Sequence, residues 1–234
     1  MPDLISGFAQ ALGLIASGDP AVVMVVTLSL QVSGAALVFS TLGGLPLGAW
    51  LGLSRFRGQG LAIALIYTGM GLPPVVVGLF VYLFLSQQGP LGFLNWLFTP
   101  NAMVLAQAII ALPIIAGFTM AAVMGVDPEL RQQLRALGAT GVQATVSVLA
   151  EARVGVVVAL VAGFGGIISE VGAVMLVGGN IEGSTRVLTT AIMLETRQGR
   201  FDRAMALGLI LVGLAFLINL SVLLLQGRGA PARS

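Results

Sequence analysis

Glu170 is the one ionisable residue set well inside an apolar run of this 234-residue chain, and a carboxyl group in such a position is by default a functional candidate. Seventeen residues from Arg153 place it about 26 Å along a helix, toward that helix's outer end. It could bond a neighbouring helix or the backbone there, form part of an outer gate, or carry a proton; facing an anion, a bare carboxylate would repel it. Ser29, Ser33, Ala36 and Ser40 fall within about 40° of one helical face. This narrow stripe of small and hydroxylated side chains suits either close helix packing or the lining of a pathway. Further along, Asn180, Thr185 and Arg186 offer donors to an anion, although a surface loop carries the same residue types.

The densest polar chemistry lies between Asp127 and Arg153, where six of the chain's twenty charges are concentrated. Asp127 can N-cap a helix that starts at Pro128, with Leu130, Leu134 and Leu137 on one face. Gly138 is the expected stop, followed by the turn Gly138-Ala139-Thr140-Gly141. A second short helix then places Val142, Val146 and Leu149 on one side and Gln143 and Ser147 away from it. Two amphipathic helices bent around a glycine, emerging between membrane spans, make a surface suited to docking another protein.

Much chemistry is absent. With no cysteine and no histidine, disulfides, a thiol nucleophile, a Cys/His zinc site and an imidazole base are all excluded. The four aspartates, Asp3, Asp19, Asp127 and Asp202, lie outside or at the ends of apolar runs, so an intramembrane aspartyl dyad is excluded too. No catalytic residue, metal ligand or cofactor site is expected.

The elements that carry these residues follow from hydropathy. A mean hydropathy of +1.04, 57% hydrophobic and 9% charged residues describe an all-α, polytopic membrane protein. Five apolar runs have spanning length: 22–53, 61–85, 102–124, 152–177 and 204–225. The first, 32 residues long, would be about 48 Å against a hydrocarbon core of roughly 30 Å; Gly43-Gly44-Leu45-Pro46 interrupts it, and it must bend, tilt or protrude. Leu72-Pro73-Pro74-Val75 predicts a kink in the second, and Pro113 sits near the middle of the third. Residues 187–194 are apolar but too short to cross, which predicts a re-entrant or interfacial helix. The expected domains are an amphipathic N-terminal segment (1–20), one transmembrane domain (21–226) with the two-helix loop at 127–151, and a cytoplasmic tail (227–234). An odd number of spans puts the ends on opposite sides. Arg55, Arg57, Arg131, Arg135, Arg153, Arg228 and Arg233 share one side, against Arg186, Arg197, Arg200 and Arg203 on the other. Positive charge is retained inside, so the loop and C-terminus are expected in the cytoplasm and the N-terminus outside.

The polar loop resembles that of the type I ABC importer permeases, whose pattern E-A-A-x3-G-x9-I-x-L-P forms the coupling helices. Anchored on Gly138, the E-A-A positions fall on Gln132, Gln133 and Leu134, the isoleucine on Val148 and the L-P pair on Ala150-Glu151; the glycine and the spacing are kept. Gly71-Leu72-Pro73-Pro74-Val75-Val76-Val77-Gly78-Leu79, Ala106-Gln107 with Leu112-Pro113, and Ser169-Glu170-Val171-Gly172-Ala173 resemble the molybdate/tungstate branch. Within it, Val177-Gly178-Gly179-Asn180-Ile181, Thr185-Arg186-Val187-Leu188-Thr189-Thr190-Ala191-Ile192 and the ending Glu151-Ala152-Arg153 are most similar to tungstate-uptake permeases.

The resemblance implies a homodimer in a bacterial or archaeal cytoplasmic (inner) membrane whose interface forms an oxyanion pathway. Two ABC ATPase subunits would lie beneath it, and an extracytoplasmic oxyanion-binding protein would deliver the substrate. Glu129, Arg131, Gln132, Gln133, Leu134, Arg135, Gly138 and Ala139 become the candidate ATPase-coupling residues. Ser29, Ser33, Ser40, Glu170, Asn180, Thr185 and Arg186 become candidates for the pathway or outer gate. The chain has no G-x4-G-K-[ST] phosphate loop, so nucleotide chemistry must come in trans and the chain is not itself an enzyme. Tungstate is the expected cargo, with molybdate and sulfate as alternatives. A proton- or cation-coupled secondary transporter using Glu170 is the rival of a different class.

Overall fold

The computed structural model describes residues 8–9, 12–13 and 16–227. The expected amphipathic segment 1–20 lies largely outside these residues, as do the tail from 228 and its Arg228 and Arg233. In chain order the helices are α1 (Pro20–Leu53), α2 (Gln59–Met70), α3 (Pro74–Leu85), α4 (Pro100–Met124), α5 (Pro128–Ala136), α6 (Gly141–Glu151), α7 (Arg153–Ile168), α8 (Gly172–Gly178), α9 (Leu188–Arg197) and α10 (Phe201–Gly227), with a 3-10 turn at Gly92–Leu94. No strand occurs among the described residues. The packing divides into two compact units, residues 1–36, 73–107 and 167–234 in one and residues 37–72 and 108–166 in the other.

In the second unit the glycines of the first apolar run pack rather than interrupt. Helix α1 is continuous through Pro46, and Gly44, Gly48 and Gly52 recur at one-turn intervals along the edge that meets α4. A Cβ at Gly44 would lie 2.9 Å from the Leu112 carbonyl, and one at Gly52 3.1 Å from the Met120 carbonyl. At Gly48 it would overlap the Ala116 carbonyl. Only hydrogen at these positions lets the two backbones approach so closely, the usual basis of helix association in lipid. Beside this seam, Ala49, Val123, Val148 and Ala152 form a buried cluster.

In the first unit, α9 and α10 close around Leu188, Ala191 and Leu207, with Val22, Val25 and Ile210 packed against them. A Cβ on Gly78 of α3 would lie 2.6 Å from the Ala173 Cα of α8, so glycine is required for that contact as well.

Three helices, α1, α4 and α10, are each long and apolar enough to cross a membrane, and up to five spans result if each bent helix pair counts as one. The stretch expected as a kinked span over 61–85 is two helices of 12 residues bent by 97°. Gly71 ends the first with φ −96°, and Pro74 starts the second at its first helical position, where its missing N–H costs nothing. The stretch expected as one span over 152–177 also divides, because α7 ends at Ile168 and α8 begins at Gly172.

Candidate functional site

Local chemistry builds the polar loop. Asp127 caps α5, its carboxylate accepting from Glu129 N at 2.9 Å. At the other end Gly138 has φ +88°, the left-handed region where a side chain is strained. Gly138 N donates to Arg135 O and Ala139 N to Leu134 O, both at 3.0 Å. This pair of bonds closes the helix as a Schellman motif. Thr140 and Gln143 then cap α6 reciprocally: Gln143 N donates to the Thr140 hydroxyl at 3.3 Å and Thr140 N to Gln143 Oε1 at 2.8 Å. The T-x-x-Q spacing is a capping-box signature that the hydrophobic periodicity concealed.

The two apolar stripes of α6 are not equivalent. Ala144 and Val148 are the buried residues of α6, whereas Val142 and Val146 are 75% and 59% exposed and Leu137 is 85% exposed. Period 3.6 permits either apolar stripe, and the Val148 stripe is chosen because it meets Ala49, Val123 and Ala152. Leu149 packs at that cluster's edge.

One long-range bond ties α5 inward, for Arg131 Nη1 donates to Leu53 O at 2.5 Å. Gln59 Nε2 donates to Leu51 O at 2.9 Å. Both acceptors belong to the last turn of α1, whose carbonyls have no partner within the helix. Of the candidate coupling residues, Glu129, Gln132, Gln133, Arg135 and Gly138 are exposed, and Arg131, Leu134 and Ala139 are half-buried.

The serine stripe, expected as either a packing face or a pathway lining, is buried within its own chain, which favours packing. Ser29, Ser33 and Ser40 are 4%, 2% and 1% exposed within a single chain. A residue lining a passage between two copies has to be open on each copy, and these are not. Ser29 Oγ accepts from Leu188 N at 2.8 Å, which caps the start of α9, and donates to Val25 O at 2.7 Å. The Ser40 hydroxyl donates to Leu37 O.

Glu170 sits in the break between α7 and α8. Its Oε1 accepts from Ala173 N at 2.9 Å, and Thr189 Oγ1 donates to its carbonyl at 2.8 Å. Gln107 Nε2 donates to Ile167 O at 2.9 Å. The interrupted backbone is therefore supplied by three side chains, which is how non-helical segments are tolerated at membrane depth. Gln107, a 3% exposed amide, entered the sequence reading only as part of the Ala106-Gln107 motif, with no structural role assigned to it.

Thr185 is fully buried. Its hydroxyl donates to Gly178 O at 2.5 Å and accepts from Ile181 N at 2.9 Å, so it holds the loop together and offers nothing to an anion. Arg186 pairs with Glu182 at 3.2 Å, which neutralises part of its charge. Asn180 takes the left-handed conformation, φ +53°, as a continuation of the turn at Gly179. Nearby, a hydrogen bond from Arg200 and the surrounding arginines hold the Glu195 carboxyl below its ordinary value near 4.5, against the smaller opposing effect of burial.

Residues 44–233 match the family described as "Binding-protein-dependent transport system inner membrane component". The chain belongs to this family. It is 46% identical over 202 residues, 84% of this chain and 87% of the relative, to a probable anion ABC transporter permease protein of Haloferax volcanii. To the tungstate uptake system permease protein TupB of Peptoclostridium acidaminophilum it is 39% identical over 226 residues, 97% of this chain and 99% of the relative. The molybdenum transport system permease ModB of Escherichia coli is 34% identical over 197 residues, 76% and 82% of the two chains. Among solved structures, the inward-facing methionine ABC transporter MetNI matches with a TM-score of 0.66 at 20% identity, covering 86% and 93% of the two chains. A bacterial alginate ABC transporter in complex with its periplasmic protein matches with 0.66 at 23%, covering 86% and 76%. At such identities these structures speak for the fold alone.

The permease is thus a multi-pass inner membrane protein and a transport component rather than an enzyme. Its family is by description binding-protein-dependent, and the relatives it matches include an ABC transporter permease and an uptake-system permease. Family membership decides against the secondary-transporter rival, and the Glu170 carboxylate is already engaged by the backbone of α8.

Proposed function

We propose that this permease is the membrane subunit of an ATP-driven tungstate importer. The observation that carries this reading is the nearly end-to-end match to a tungstate uptake permease, 97% of one chain and 99% of the other. Two copies form the pathway at their interface, two ATPase subunits engage the 127–151 loops, and an external oxyanion-binding protein delivers the cargo. Glu129, Gln132, Gln133, Leu134, Arg135, Gly138 and Ala139 transmit the ATPase stroke, with Arg131 anchoring the loop to α1. The C-terminus and loop are cytoplasmic and the N-terminus is outside, which the arginine distribution supports. The outer-gate role narrows to Asn180 and Arg186, because the hydroxyls of Ser29 and Thr185 are consumed within the fold.

The permease reconstituted with its ATPase and binding protein should take up tungstate with ATP hydrolysis, resist a hundredfold excess of sulfate, and lose transport when the binding protein is omitted. Uptake of molybdate or sulfate with tungstate excluded would overturn the substrate. For topology, a single cysteine replacing Ser54 or Ala139 should be shielded from an impermeant thiol reagent in intact cells, and one replacing Ser184 should react. The reverse labelling pattern would overturn the orientation.

A further inference from the structure

The second unit contains a cleft of about 800 Å³ between the end of α1, the start of α2 and the first turns of α5. Its polar wall carries three guanidinium groups, those of Arg55, Arg131 and Arg135, against one carboxylate, Asp127. Its other wall is apolar and includes Ile63, Val123 and Met124. Asp127 is already committed, since its Oδ1 caps α5. Among the described residues none of the three arginines makes an ion pair. Arg131 spends one nitrogen on Leu53 O, while its Nε is buried with no partner. A permanently charged group held this far from water is costly without a compensating charge, and an anion in the cleft would supply one.

The level of the cleft narrows the anion. It opens where the apolar α1 gives way to Ser54-Arg55-Phe56-Arg57. Half-exposed Trp50 stacks on Phe56 with ring centroids 4.7 Å apart, the placement of aromatic residues at a membrane–water boundary. Guanidinium groups on one side and an apolar wall on the other match a phosphate head joined to acyl chains.

We propose that this cleft binds the phosphate group of an anionic phospholipid, with Arg55 and Arg135 as its reachable donors and the charge of Arg131 behind them. Free phosphate shares the chemistry but gains nothing from the apolar wall. The proposal goes beyond the transport reading and is read on the permease alone, so either can fail without the other.

The test is lipid retention by the delipidated full-length permease, followed by native mass spectrometry during titration with phosphatidylglycerol or phosphatidylcholine of the same acyl chains. Preference for phosphatidylglycerol should be about tenfold, the factor expected from one charge-assisted bond in a partly dry site. Arg55→Gln with Arg135→Gln should abolish the preference. Arg57→Gln, which alters a neighbouring arginine outside the cleft, should retain it. In a Trp96→Phe background Trp50 is the sole tryptophan, and its emission should shift with phosphatidylglycerol only, which also reports that the variants are folded. Equal retention of the two lipids, or equal losses from the Arg57 and the paired variants, would overturn the proposal. Displacement of the lipid by free phosphate, but not by chloride at matched ionic strength, would overturn the lipid as occupant in favour of the free anion. A double variant that loses ATPase association when the parent shows no lipid preference would make the cleft a protein-docking surface instead.

Discussion

The 127–151 loop and the 178–200 segment both connect apolar helices, yet they are held in opposite ways. The first is built by neighbours in sequence: Asp127 with Glu129, Thr140 with Gln143, and the two bonds around Gly138 each span five residues or fewer. Outside that local frame it is held by the Arg131 bond and by Val148 buried against Ala49 and Val123, and it leaves Leu137, Val142 and Val146 mostly exposed. The second is sewn into its own unit by buried hydroxyls, with Thr185 and Thr190 fully buried, Thr189 bonded across 19 residues and Leu188 bonded to Ser29 across 159. A segment whose shape is set locally keeps its outer surface free for another protein. One whose shape depends on distant partners is a strut.

The contrast is most directly broken at Thr185. Thr185→Val keeps the volume but strips Gly178 O and Ile181 N of their partner, and should cost about 2–4 kcal/mol as two buried groups go unsatisfied. Thermal unfolding of the purified permease should show this loss together with faster amide exchange across 178–190; an unchanged melting temperature would mean that the knot does not hold the segment.

Gly138→Val comes next. The left-handed backbone there imposes about 1–2 kcal/mol on a β-branched residue, felt locally because nothing lies within 4 Å of the position. Insertion and dimerisation should survive while uptake per ATP hydrolysed falls severalfold. Gly141→Val is the control: its φ is not positive, its surroundings are open, and the change should stay within about 0.5 kcal/mol. Normal coupling in Gly138→Val would falsify the hinge role.

A subtler effect is expected for Arg131→Met, which preserves the apolar stem and deletes the bond to Leu53 O. A loss of about 1 kcal/mol should appear as severalfold faster amide exchange in α5 with α4 unaffected. Protection identical to the parent would show that the local caps alone hold α5.

The smallest effect concerns pH. Because the folded-state carboxyl of Glu195 lies below its ordinary value near 4.5, its stabilisation is complete above that value and fades as the pH falls toward the depressed one. Glu195→Gln should therefore melt below the parent at pH 7, and the gap should narrow progressively as the pH falls below about 4.5. A gap that does not narrow on acidification would show that the Arg200 contact contributes no stability.

Sequence reading recovered the loop well, because Asp127, Pro128 and Gly138 act through their own backbone and immediate neighbours. It left open which stripe of α6 is buried: Val142/Val146 and Ala144/Val148 are both acceptable apolar stripes at helical period. The choice depended on Ala49 and Val123, far away in the chain. The serine stripe stayed ambiguous for a related reason, since the same small residues suit a pore wall and a helix seam, and only burial separates the two. Glu170 was expected toward the outer end of a helix; it lies instead beyond the end of α7, and its engagement by Ala173 N required a helix break at 169–171 that no proline or Gly-Gly pair announces.

What the sequence determined by itself was the class of object. An apolar composition without cysteine or histidine permits a helical membrane protein and excludes most catalytic chemistry, and the spacing around Gly138, with the motifs at 71–79 and 169–192, pointed to the permease family. These signals are short-range or compositional, so they need no knowledge of what packs against what. The tertiary structure alone decided which polar groups remain free. A hydroxyl or guanidinium in a chain of this composition takes whatever orphan carbonyl or amide comes within 3 Å, because an unpaired polar group away from water is expensive. Arg131 found Leu53 and Gln107 found Ile167 through contacts 78 and 60 residues apart, distances over which a linear pattern carries no trace of the partner.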